Sequence, residues 1–106
     1  MVREGMIALD PVPQFPLGAP GFPLGQVVVT TCAACKLNPV DVKAAIGRHA
    51  RGDWGDLEPA DWQVNDQRVV SGGPLASIYK DAKGKRFYVL TESDRSVTTV
   101  LLPEEY

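Results

Sequence analysis

Several groups of side chains have the types and spacing that chemistry uses. Cys32-Ala33-Ala34-Cys35 holds two thiols separated by two residues, the spacing of a redox pair activated by a following helix. With His49 and Asp53 downstream, the same Cys32 and Cys35 approach finger-type zinc-ligand spacing, His49 and Asp53 standing i, i+4 on one helical face. His49-Ala50-Arg51-Gly52-Asp53-Trp54-Gly55-Asp56 gathers a histidine, an arginine, two carboxylates and a tryptophan around two glycines. In Thr91–Thr99, every residue except Val97 carries a hydroxyl or a charge. Arg95 beside Asp94, with Thr98 and Thr99 on opposite sheet faces, could form an anion-binding or polar network.

Each group has a plain structural reading beside the chemical one. A thioredoxin-like pair follows a βαβ unit, whereas here a Pro/Gly-rich segment occupies that place and Pro39 starts the helix beyond the cysteines. Zinc fingers put their cysteines on a two-stranded knuckle, and these follow a single apolar strand. A histidine on a helix's apolar face is commonly a hydrogen-bonded core residue, and Asp and Ser favour turns by bonding their own backbone. In a catalytic reading, His49 is general base or acid, Arg95 stabilises phosphorane-like charge, and Tyr79 or Thr98 positions the substrate. That reading requires His49 and Arg95 within roughly 6–8 Å of each other, so as to bracket one phosphate. The binding candidates are Asp53, Trp54, Asp94 and Thr98. No phosphate loop or cofactor motif occurs, so no cofactor is expected.

The elements that must position these residues follow from local patterns. Gln26–Thr31 is β-branched and apolar, a buried strand. Asn38-Pro39 starts a helix with an N-cap, a proline at the first position and Asp41 in the first turn. Val42, Ala45, Ile46 and His49 form its inward stripe, and Gly52 and Gly55 stop it. A second helix begins at Glu58-Pro59, with Trp62, Asp66 and Val69 on one face and Asn65 beside them, and ends at Gly72-Gly73. Three strands follow, 75–80, 85–91 and 96–102, joined by the short turns 81–84 and 92–95. The expected fold is α+β in the order β-α-α-β-β-β, an antiparallel sheet with the helices on one face. Residues 26–106 form the domain. Residues 1–25, with Pro11, Pro13, Pro16, Pro20 and Pro23 among glycines, Phe15 and Phe22, form an extended arm.

Composition narrows the partners. The 106 residues make one domain, 44% hydrophobic and 23% charged, with 11 basic against 13 acidic residues. A net charge of −2 gives no drive toward nucleic acid. No apolar run reaches the roughly 18–20 residues of a membrane span, so no membrane partner is expected. Prolines interrupt the N-terminus, so a signal peptide is not expected and the cytoplasm is the expected location.

His49-Ala50-Arg51-Gly52-Asp53-Trp54-Gly55-Asp56-Leu57, Asn65, Ser77-Ile78-Tyr79 and the ending Leu90-Thr91-Glu92-Ser93-Asp94-Arg95-Ser96-Val97-Thr98-Thr99-Val100-Leu101-Leu102-Pro103-Glu104-Glu105-Tyr106 together resemble a family of small bacterial plasmid-related proteins. The resemblance spans roughly 49–106 and leaves out the cysteine pair and the arm. It implies association with mobile elements or phage-like DNA and supplies no mechanism.

The functional expectation is a non-enzymatic protein-binding or regulatory module, with a host or phage protein as partner. A metal-independent ribonuclease-like toxin is the alternative, and a zinc or redox module through Cys32 and Cys35 the second alternative.

Overall fold

The protein is described as a computed structural model covering Met6–Ala8 and residues 22–106. The elements run β1 Met6–Ala8, β2 Gln26–Thr30, α1 Thr31–Lys36, α2 Pro39–Ala50, α3 Pro59–Ser71, β3 Leu75–Lys80, β4 Arg86–Thr91 and β5 Val97–Leu101, closing in a 3-10 turn Pro103–Glu105. The fold is α+β, as its composition and turn pattern predict. Helix α2 begins as its sequence dictates: Asn38 caps it by accepting the Val40 amide (2.9 Å), with Pro39 at its start.

The meander β3-β4-β5 is antiparallel, but the sheet as a whole is mixed. Its order is β1-β2-β5-β4-β3, and β2 lies parallel to β5. An all-antiparallel sheet is therefore corrected at one seam. The reason is topological: α1, α2, α3 and the first two strands of the meander intervene between β2 and β5, so the chain can return in the same direction.

Two local expectations also shift. Strand β2 stops at Thr30 rather than Thr31, and the Thr30 hydroxyl accepts the Ala33 amide (3.1 Å) and so caps the short helix α1. The cysteines therefore ride on their own helical turns before Pro39. At the other boundary, Phe22 and Leu24 are buried in the core, so the packed domain reaches back before residue 26. Proline-flanked apolar side chains can pack on a core without belonging to a strand. The remaining prolines of the expected arm, with Phe15, lie outside the described residues.

Strand alternation sorts the sheet into two faces. Leu75, Ser77 and Tyr79 of β3, Phe87, Val89 and Thr91 of β4, and Thr98 and Val100 of β5 are all buried on one face. Helix α2 lays Val42, Ala45, Ile46 and His49 against it, and α3 adds Asn65, Trp62 and Val69. Each fully buried Leu, Ile or Phe side chain is worth about 1.5–3 kcal/mol in transfer from water. Beyond the edge of β3, the 54–56 segment runs alongside it: Ile78 N–H donates to Trp54 O (3.2 Å) and Asp56 N–H to Ile78 O (2.7 Å). Gly55 stands at that crossing with φ 72°, where any Cβ would run into the Ile78 carbonyl oxygen.

Candidate functional site

His49 lies at the centre of the residues singled out from sequence, fully buried, with hydroxyls on both ring nitrogens. Nδ1 meets Ser77 Oγ at 2.5 Å and Nε2 meets Thr91 Oγ1 at 2.8 Å. Thr91 Oγ1 meets Thr98 Oγ1 at 2.8 Å, and Thr98 donates to the Leu24 carbonyl at 2.7 Å. The proton directions follow from that last carbonyl, which can only accept. Thr98 has spent its hydrogen on Leu24, so Thr91 donates to Thr98. Thr91 in turn has none left for the ring, so Nε2–H donates to Thr91. Burial first, and then the Arg95 charge, push the His49 pKa down to about 3, so the ring is neutral near pH 7 and Nδ1 accepts from Ser77. The relay is closed, and among the described residues no buried side-chain N or O lacks a partner.

Aromatic rings seal this relay. Phe22 and Trp54 each stand edge-on to His49, with centroids at 5.2 and 5.3 Å, and stack on one another at 5.8 Å. Trp54 Nε1–H donates to Asp66 Oδ1 (2.9 Å), pinning the 51–58 loop to α3. Tyr79 donates its hydroxyl to the Asp53 carbonyl (2.5 Å), and burial raises its pKa further from neutrality. Asp53 takes Arg48 in a two-point pair (2.8 and 3.2 Å) and caps the Gly55 amide. The Arg48 hydrogen bond holds the Asp53 carboxyl below the usual carboxylate range.

Arg95 is turned inward. Its guanidinium donates to the carbonyls of Gly73 (2.6 Å) and Arg68 (2.8 Å), and back to Glu92 and Ser93. It thereby ties the β4–β5 hairpin to the end of α3. Phe22 touches both Arg95 and His49, its ring 5.6 Å from the Arg95 Cζ atom and 5.2 Å from the imidazole centroid. The Arg95 guanidinium is engaged by backbone carbonyls and both His49 nitrogens by hydroxyls, so their hydrogen-bonding groups are already committed within the fold. Asp94 stands apart at the exposed hairpin tip, where it accepts from Ser96 Oγ (2.6 Å) and N–H (3.0 Å). Those two bonds hold its carboxyl below the usual range. The structure thus brings His49, Trp54, Tyr79 and Thr98 together, places Asp53 and Arg95 at their margin, and leaves Asp94 outside.

The cysteine pair does not join them. Cys32 and Cys35 are free and exposed on α1, while His49 is buried with both nitrogens engaged. Among the described residues, no three His, Cys, Asp or Glu side chains are grouped to hold a metal ion. No helix of the described residues is long and apolar enough to cross a membrane.

The opposite face of the sheet presents a surface that reasoning from polar motifs missed. Ala76 and Ile78 of β3, Tyr88 and Leu90 of β4 and Thr99 of β5 point away from the helices and are only half-buried. Toward β2 the same face is closed, with Val28 and Leu101 buried. Toward β3 it opens into a shallow cavity of about 170 Å³ lined by Leu57, Ala76, Ile78, Tyr88, Leu90 and Tyr106. Tyr106, 78% exposed, stands edge-on to Tyr88 at 5.4 Å. A sheet with one solvated face reads apolar-polar in alternation, whereas Leu75–Tyr79 and Phe87–Leu90 are apolar at nearly every position. That missing alternation was the available signal. No protein-family model, no curated protein and no solved structure matches this chain.

Proposed function

We propose that the chain is a non-enzymatic protein-binding module whose contact surface is the open sheet face around Ile78, Tyr88 and Leu90. The observation that carries this reading is the half-buried apolar row on outward strand positions, where a solvated face calls for polar residues. The polar cluster supports it from the other side. His49, with both nitrogens engaged and its pKa down to about 3, offers no acid or base near neutrality and no path to a substrate. A ribonuclease-like reading would need His49 and Arg95 to give up these hydroxyl and carbonyl partners. The likeness of residues 49–106 to plasmid-related proteins supports a setting among mobile elements, which remains part of the proposal.

Photocrosslinking in cells tests the assignment. A photoreactive residue in place of Leu90 is expected to give a discrete protein adduct. The same residue in place of Val70, 90% exposed on α3, is expected to give none. Adducts to nucleic acid, or equal protein labelling from both positions, would remove the open face from the argument.

A further inference from the structure

The charges at the two ends of the open face have opposite signs. Three rows of paired outward residues cross β3 and β4. Lys80 is paired with Arg86, Ile78 with Tyr88, and Ala76 with Leu90. Beyond them, just past the end of β4, stands Glu92, the next position in the same alternation, whose amide donates to the Val97 carbonyl. The basic end also carries Lys83 and Lys85 in its hairpin turn, and Asp81 there spends a carboxylate oxygen on the Lys83 and Lys85 amides. At the acidic end Glu92 and Asp94 are exposed, while Arg95 is directed into the fold. Among the described residues, ion pairs join only Lys36 to Glu104 and Arg48 to Asp53, so neither end is neutralised by the other. The apolar rows lie midway between the charged ones.

We infer that the occupant of this face is a second copy of the chain, docked about a two-fold axis that crosses the strands between the Ile78–Tyr88 and Ala76–Leu90 rows. This rests on the proposed reading of the face and names its partner. A rotation about that axis reverses the strand direction and keeps β4 over β4. It therefore lays Tyr88 of one protomer against Leu90 of its partner, and Arg86 against Glu92, with each contact made twice. The end rows are about 20 Å apart at ~3.3 Å per residue, so both charged contacts form together while the centre closes. Any other pairing of ends sets like charges against each other, which fixes the orientation. Leu90 enters the shallow cavity beside Tyr88 on the opposing copy, and Leu57 and Tyr106 wall that cavity.

Sedimentation velocity on the full chain tests this with Leu90→Glu, Arg86→Glu, Glu92→Arg and a one-to-one mixture of the last two. The wild type is expected to dimerise. Leu90→Glu should weaken self-association by at least about 30-fold, as loss of a central anchor does. Arg86→Glu and Glu92→Arg should each weaken it, and their mixture should restore a dimer, because opposite charges then meet at both ends. Restoration also shows that both variants are folded. A wild type that stays monomeric up to its solubility limit overturns the inference, as does a dimer indifferent to all three substitutions. A monomer that still gives a discrete adduct from position 90 to a different protein overturns self-association alone. A monomer with no adduct overturns the proposed function as well.

Discussion

The two faces of the β3-β4-β5 sheet invert the usual distribution of polarity. The covered face buries a histidine, a serine and two threonines, and the uncovered face presents isoleucine, tyrosine and leucine. On the covered face every polar atom has a fixed partner, so polarity there specifies one packing arrangement, since a relay with a missing member would strand costly unpaired groups. On the uncovered face the apolar side chains have partners on one side only, so their remaining surface is free to meet another protein. A dense polar motif in sequence is therefore a poor guide to which surface this fold leaves open. On the proposed reading of the open face, the apolar residues at outward strand positions are the better guide to contact.

The comparison is broken most severely at Trp54. Its ring is fully buried against Phe22 and His49, and its N–H reaches Asp66. Trp54→Ala is expected to cost about 3–5 kcal/mol, read as a lowered midpoint in chemical denaturation. A loss under about 1 kcal/mol would mean that the sealed cluster is loosely packed and could admit a ligand.

The next largest effect is on pH. In the folded protein His49 stays neutral down to about pH 3, whereas in the unfolded chain an imidazole takes up its proton near 6.5. Between those values the unfolded state binds one more proton. Stability therefore falls as pH falls, by at most about 1.4 kcal/mol per unit. From pH 7.5 to 4.5 the expected loss is about 2–3 kcal/mol. The chain has a single histidine, so its imidazole resonances report directly: they should not titrate above pH 4.5. Asp53 and Asp94 have depressed values, and their contributions are lost only below this window. A His49 that titrates near 6.5 would mean that water reaches the relay.

The parts of this arrangement that could be read from sequence are those set by neighbours along the chain. Asn38 and Pro39 start α2, its inward stripe runs from Val42 to His49, and the tight turns at 81–84 and 92–95 order the meander. Nothing local marks the parallel pairing of Val27 with Thr98, because three helices and two strands separate them. The Thr31–Lys36 helix was equally hidden: it is short, it buries Ala33 alone, and its cap is the last residue of a strand. His49 could be assigned to the core from its helical position, but the Ser77 and Thr91 hydroxyls that hold it come from strands whose register the sequence does not show. Nothing local marks Leu90 as outward-facing, because an apolar strand open on one face and one covered on both look alike in composition.

The smallest expected effect is at Leu90, and it is the sharpest. If the outward row serves binding and the inward row serves folding, Leu90→Glu should leave the stability of the dilute protein within about 1 kcal/mol of the parent. The carboxylate replaces a half-buried side chain and can stay hydrated beyond the cavity rim. Its neighbours across the strands, Ala76 and Thr99, are small enough not to trap it. Thermal denaturation at low concentration therefore separates the two faces with one pair of variants. Trp54→Ala should unfold early whatever its association, and Leu90→Glu should unfold with the parent while failing to associate. A Leu90→Glu loss approaching that of Trp54→Ala would instead place Leu90 within the folding core, and the distinction between a sealed face and an open one would collapse.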